Sequence, residues 1–492
     1  LFFIFNWNCI EMLGEDLSFS IRLPKQLSNE KITGRLFVFS SQRGEPRLGP
    51  NWFQPEPFFG KDISNWKPGS AVVLDDNADC FPVPISKLPQ GKYRFQALLD
   101  HDFYSPSPGN GVGNFYSEIK DVEIKGTNQT ISFDLVNVIQ EKPIPETKFV
   151  KIVKLDSRLL GNFHKRSVFE KAVVVLPAGY HKNAERRYPV FYEISGFGAT
   201  LHQLASRYSR RQPTEEKKQF DYIHVLLTGE CKWGHHVYAN SATNGPRGDA
   251  LVKEMIPLID SRFRTVPEMA ARYVGGHSSG GWSSIWLQVN YPDTFGGLWS
   301  TAPDPVDFRD YQQTNLYSNS PESIYYFKNQ NRKPLARRGR QVMIWYPDFA
   351  KMDDTLGRGG QLRSFEAVFS PLDHDGKPAK MWNRLTGIVD PEVVKAWKQY
   401  DLQLILKNNW KSLAPKLKGK MHILMGTEDT FYLEGATQLL SQSLKKLGSD
   451  AEISIIPGNH SSIMTPSYFA TRRKQMKDIY QANFNSEGIR KR

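Results

Sequence analysis

The stretch Tyr273-Val274-Gly275-Gly276-His277-Ser278-Ser279-Gly280-Gly281-Trp282-Ser283-Ser284-Ile285-Trp286-Leu287-Gln288 reads as an apolar strand, a glycine-rich turn and a helix in immediate succession. Glycines on both sides of Ser278 allow the strand and the helix to approach closely, so the serine is held in a tight elbow at the carboxyl edge of a sheet. A bare Gly-x-Ser-x-Gly arises by chance in roughly one chain in five of this length. The strand before the motif and the helix after it give it weight.

A serine hydroxyl is a poor nucleophile until a base takes its proton, so the motif requires a histidine and an acid further along the chain. Both occur in order. Asp429 closes Gly426-Thr-Glu-Asp429 after the strand His422 to Met425, and His460 closes Pro457-Gly-Asn-His460 after the strand Glu452 to Ile456. Three residues on loops at the carboxyl ends of strands share one edge of a parallel sheet, and Ser, Asp, His is the chain order of the α/β-hydrolase fold. Each residue also has a plainer reading: Ser278 capping its helix, Asp429 capping a helix that begins near Phe431, and His460 filling a turn. Their joint occurrence favours chemistry. Glu428, Asp304 and Asp307 compete with Asp429 for the acid. A developing oxyanion needs backbone donors, for which the amides of Ser279 and of Phe197, in Ser195-Gly-Phe-Gly198 after the strand ending at Ile194, are the candidates.

The chain reads in two halves. Residues 17–140 carry short strands between turn-rich loops, among them Leu17 to Leu23, Arg35 to Phe39, Lys92 to Leu99, Ser117 to Ile124 and Thr130 to Leu135, which predicts an antiparallel, all-β sandwich-like domain. Two long loops, Gly44 to Lys67 and Asp100 to Gly113, hold Trp52, Phe53, Phe58, Phe59, Trp66 and Phe103, as a ligand face or as packing onto the sandwich. Glu141 to Thr147 reads as a proline-containing linker. From 148 to 480 apolar strands (Ala172 to Leu176, Val190 to Ile194, Ile223 to Leu227, Val342 to Trp345, Ile423 to Met425) alternate with helical segments such as Asp249 to Ile259 and Ala436 to Leu447. That alternation predicts a mostly parallel sheet flanked by helices. Residues 1–16 are unassigned, and 481–492 form a basic tail.

The 492 residues carry a net charge of +13, with 39% hydrophobic and 23% charged residues. That composition supports a large core and argues against disorder. The basic clusters Arg186-Arg187, Arg210-Arg211, Arg337-Arg338 and Arg490-Lys491-Arg492 have no nucleic-acid motif beside them and read as solvated surface. Cys9, Cys80 and Cys231 are too few and too far apart for a disulfide framework or a zinc knuckle. No stretch of about 20 apolar residues predicts membrane insertion. Leu1-Phe-Phe-Ile-Phe5 is compatible with the remnant of an export signal, which makes the periplasm or the exterior the expected compartment and the cytoplasm the alternative.

Val173-Val-Val-Leu-Pro-Ala-Gly-Tyr180, Arg187-Tyr-Pro-Val-Phe-Tyr192 with its Ser-Gly-Phe turn, and Gly276-His-Ser-Ser-Gly-Gly281 with Tyr291-Pro-Asp-Thr-Phe-Gly296 together resemble the putative-esterase family. The resemblance spans roughly Lys148 to Lys477 and leaves the amino-terminal third uncovered. Ser195 stands where many members place a histidine before the glycine. The resemblance implies a serine esterase that needs no cofactor and no metal, acting on a small-molecule or glycan ester such as an acylated carbohydrate or a siderophore-like compound. An acyltransferase using the same three residues is the alternative, followed by an inert carbohydrate-binding protein.

An insertion at about 303–418 is expected to form a lid or pocket wall. His235, His236 and Trp282 are expected to line the substrate pocket. Asp373-His-Asp-Gly376 reads as a polar turn rather than a calcium loop, and the sequons at Asn128 and Asn459 are formal matches, the latter too close to His460 to carry a glycan without obstructing it.

Overall fold

The computed structural model describes residues 17–102, 104–126, 129–210 and 220–484. Residues 1–16 with Cys9, Phe103, Asn128 of the first sequon, Arg211 and the tail from 485 lie outside them. Two compact units emerge: one of the residues up to Gln140 together with Asp354–Gly357, the other of Glu141–Asp353 and the residues from Arg358 onward. No helix among the described residues is long and apolar enough to cross a membrane.

The larger unit is organised by an eight-stranded sheet made of Val150–Asp156, Phe169–Val175, Val190–Ile194, Ile223–Leu227, Arg272–His277, Gly297–Thr301, Met421–Gly426 and Glu452–Ile456. Counted along the chain, these strands lie in the order 1-2-4-3-5-6-7-8. The first two pairings at one edge are antiparallel and the rest are parallel, so the sheet is mixed. Helices in the connections return the chain to the same edge each time, which brings the carboxyl ends of the parallel strands together. This is an α/β-hydrolase-type architecture.

Arg272–His277 lies between Val190–Ile194 and Gly297–Thr301. A central strand covered on both faces reads as a continuous apolar or small-residue run, and this one is buried from Arg272 to Gly276. The helix that follows, Ser279–Asn290, is buried from Ser279 to Val289. Its first turn passes so close to the neighbouring strand that a Cβ on Gly280 would fall 1.9 Å from the carbonyl oxygen of Ile194. Only glycine fits there. Outside, the helix is covered by aromatic residues of the insertion: Trp282 stacks on Trp286 at 5.3 Å, Phe369 lies 5.2 Å from Trp282, and Tyr400 lies 5.5 Å from Trp286.

Val342 to Trp345, expected among the alternating strands, belongs instead to a separate hairpin in which Gln341–Trp345 pairs with Pro334–Arg338. Only Ile344 of that strand is fully buried, the burial of a strand with one covered face.

The smaller unit is β-rich, with eight strands joined in one path and a ninth, Lys120–Ile124, paired off it to Gly91–Asp100. Two expectations are corrected. Phe58–Trp66 is a nine-residue strand, not loop, and Phe58, Phe59 and Trp66 are buried. The first and last strands, Ser18–Arg22 and Thr130–Val138, run parallel, which is possible because the whole unit forms the connection between them.

Gly280→Ala is expected to destabilise the protein by about 3 kcal/mol or more through backbone overpacking, read as a fall in the denaturation midpoint. An unchanged midpoint would mean that the helix start has room to shift.

Candidate active site

Ser278 occupies the turn between the central strand and its helix with φ 58° and ψ −125°. For a non-glycine residue this is a strained conformation, sustained only where the surroundings over-determine it. They do so here: the Ser278 amide donates to Thr301 O at 3.0 Å, and its carbonyl accepts from the Trp282 amide at 3.0 Å. The side chain makes no capping bond to the helix, so the hydroxyl is not engaged as an N-cap.

His460 and Asp429 meet as the strand ends predict. Asp429 is fully buried, and its Oδ2 lies 2.7 Å from His460 Nδ1. A carboxylate there accepts the Nδ1 proton and leaves Nε2 as the basic nitrogen. Asp429 also fills its plainer role, because Oδ1 accepts from the Phe431 amide at 2.8 Å and closes the turn, although the following helix begins only at Glu434. The His460 ring lies against Phe431 at 5.0 Å and against His277 at 4.5 Å. Thr301 Oγ1 donates to Gly276 O, so the 3.1 Å contact from His277 Nδ1 is a donation from His277. Burial and the neighbouring His460 push the His277 imidazole down to about 3, so the second ring stays neutral beside the first.

Of the four candidate acids, Asp429 is the one bonded to His460 among the described residues. Glu428 is exposed, and Asp307 is tied to the Arg309 guanidinium. Asp304 is nearer: its amide donates to Ser278 O at 3.4 Å. Burial pushes its carboxyl up to about 6, and Oδ2 has no partner among the described residues.

The Ser195-Gly196-Phe197 turn lies over the serine. A Cβ on Gly196 would sit 3.2 Å from Ser278 Cβ and 3.9 Å from its Oγ. Ser279 opens the helix on the other side of the serine. His235, His236 and Trp282, expected to line the substrate pocket, are buried, at 3%, 1% and 1% exposure. His236 Nδ1 accepts from the Tyr238 amide at 3.1 Å, and Trp282 is held in its aromatic stack.

Arg337 is a residue that the sequence reading assigned to solvated surface. It is half-buried instead: Nε donates to the Asp429 carbonyl at 3.0 Å, its amide donates to Thr430 O at 2.8 Å, and its guanidinium pairs with Glu434 and lies 4.3 Å from the Tyr432 ring centre. The insertion thus grips the loop that carries Asp429. In the same way Arg186 pairs with Asp221 and Arg187 donates to Thr265 O. Asp373 caps its own turn, its Oδ1 accepting from the amides of Asp375 and Lys377. Asn459 likewise spends its carboxamide oxygen on the amides of Ser461 and Ser462. Among the described residues no group of three His, Cys, Asp or Glu side chains could hold a metal ion.

Compared with known proteins, residues 170–454, more than half of the chain, match the family described as "Putative esterase". Similar solved structures include a ferulic acid esterase (14% identity, covering 68% of this chain and 100% of that one, TM-score 0.37). Others are an S-formylglutathione hydrolase from Agrobacterium tumefaciens (13%, 68% and 97%, TM-score 0.40) and the fluorophosphonate-binding serine hydrolase FphF from Staphylococcus aureus (12%, 67% and 97%, TM-score 0.39).

Two outcomes are expected. Arg337→Ala should lower kcat roughly 10- to 100-fold by loosening the acid loop while KM stays nearly constant; an unchanged kcat would mean that the loop holds itself. For Asp304, the folded chain binds the proton more tightly than the unfolded chain, so the folded state loses stability as pH rises from the ordinary carboxylate range through about 6. Asp304→Asn removes that loss and should stabilise the protein at pH 8 by on the order of 3 kcal/mol, with the gain vanishing toward pH 4. Denaturation curves at the two pH values check it, and an equal effect at both would contradict it.

Proposed function

The chain belongs to the putative-esterase family and is a carboxylic ester hydrolase, and on that premise we propose that Ser278, His460 and Asp429 form its catalytic triad. The observation that carries the proposal is the buried 2.7 Å bond from His460 Nδ1 to Asp429, on the same sheet edge as a serine held in a strained elbow whose hydroxyl makes no capping bond to its helix. His460 Nε2 takes the Ser278 proton as Oγ attacks the ester carbonyl carbon. The amides of Phe197 and Ser279 receive the developing oxyanion, and the tetrahedral intermediate collapses as His460 returns the proton to the departing alcohol. Water then repeats the sequence on the acyl-enzyme and releases the acid. Asp429 keeps its charge throughout and stabilises the imidazolium.

The substrate proposed is a small-molecule or glycan ester. The net charge of +13 favours substrates with an acidic part, because a summed positive field concentrates anions.

The test is hydrolysis of short-chain and aromatic acyl esters by the wild type and single variants. Ser278→Ala is expected to lower kcat at least about ten-thousandfold and Asp429→Asn by a comparable factor, with Asp304→Asn affecting it far less. Equal rates for Ser278→Ala and the wild type would remove the nucleophile. Loss of turnover in Asp304→Asn but not in Asp429→Asn would move the acid.

A further inference from the structure

His235 lies on the second strand of a short hairpin, Glu230–Cys231 with Gly234–His235, and its two ring nitrogens have different partners. Nδ1 accepts from the Val237 amide at 3.1 Å, which fixes the ring proton on Nε2, and Nε2 donates to the Ser195 carbonyl at 3.0 Å. The residues on the Nδ1 side are strained: Val237 and Tyr238 have φ of 44° and 54°, and Val237 is β-branched. The ring itself has a dedicated seat. A Cβ on Gly229 would stand 2.2 Å from it, so the imidazole lies directly on the Gly229 backbone. Burial pushes its basicity down to about 4, so near neutral pH the ring is uncharged and keeps an acceptor at Nδ1 as well as a donor at Nε2.

At the other end, the Ser195 amide donates to Leu227 O at 3.0 Å while the Ser195 carbonyl accepts from His235. Both anchors come from the single segment Leu227 to His235. The peptide leading into Gly196, which touches Ser278, is therefore oriented from both sides. We infer that His235 is a positioning residue: it sets the Ser195-Gly196-Phe197 turn, and with it the Phe197 amide, at the distance from Ser278 that an oxyanion requires, and it acts through the backbone without touching substrate. The inference rests on the esterase reading of Ser278 and Phe197. A donor held on a fixed peptide meets the oxyanion without reorganising, whereas displacement by about 1 Å costs up to a hundredfold in rate.

Two substitutions separate the two bonds. In His235→Gln the amide nitrogen reaches about as far as Nε2 and can serve Ser195, whereas in His235→Asn the side chain ends at the position of Nδ1 and can serve only Val237. The measurements are kcat and KM on p-nitrophenyl acetate, per site titrated with a fluorophosphonate label, and the inhibition constant of an arylboronic acid, whose tetrahedral adduct places an oxygen between the two amides. His235→Asn is expected to lower kcat about 10- to 100-fold and weaken boronate binding by a similar factor, with KM within about threefold of wild type. His235→Gln should recover most of both losses. Boronate affinity and kcat within about twofold of wild type in His235→Asn, or equal losses in the two variants, would overturn the inference. If His235→Asn gives no protein that labels, Gly229→Ala takes its place by pushing the ring from its seat, with the same losses supporting the inference and unchanged values overturning it. Full turnover in Ser278→Ala would instead overturn the esterase reading, whatever the His235 variants do.

Discussion

Much of the larger unit depends on one backbone constraint, a serine held at φ 58° between a central strand and a buried helix. Such a residue relaxes unless its neighbours forbid it. Gly280 lets the helix start against Ile194, Thr301 takes the serine amide, and the helix carries an aromatic cover that keeps its outer face from water. The sheet supplies the rest of the site at no further conformational cost, because its parallel strands end at one edge and each loop there inherits a defined position.

That dependence explains what the sequence disclosed. The strand, turn and helix around Ser278 are contiguous, and Asp429 and His460 each follow a recognisable apolar strand by a few residues, so local pattern is enough to place all three at strand ends. Glycine spacing likewise marked the Ser195 turn. What stayed hidden are interactions between a side chain and a distant backbone atom. Arg337 reaches the Asp429 carbonyl across 92 positions, and His235 reaches the Ser195 carbonyl across 40. A carbonyl oxygen belongs to every residue and leaves no complementary letter in the sequence, so Arg337 reads as surface charge and the bond made by His235 leaves no mark in the sequence.

The misread strands have a similar cause. Phe58–Trp66 sits in a stretch dense with proline, glycine and aromatic residues, where turn signals outweigh the pairing that burial of Phe58, Phe59 and Trp66 makes favourable. Gln341–Trp345 has the β-branched, aromatic content of a sheet strand, but only a single hairpin partner is available to it. Sequence pattern reports that a segment is extended. It does not report which sheet receives it.

The grip of Arg337 on the acid loop bears on how such an enzyme can be altered. Active-site insertions are commonly treated as exchangeable modules, grafted between relatives to change substrate preference while a constant scaffold performs the reaction. Here the same insertion carries the hairpin that fastens the Asp429 loop and the aromatic side chains that cover the helix after Ser278. A graft that omits the hairpin removes part of the scaffold with the selectivity element, so the natural boundary for recombination in this chain runs through the insertion, not around it.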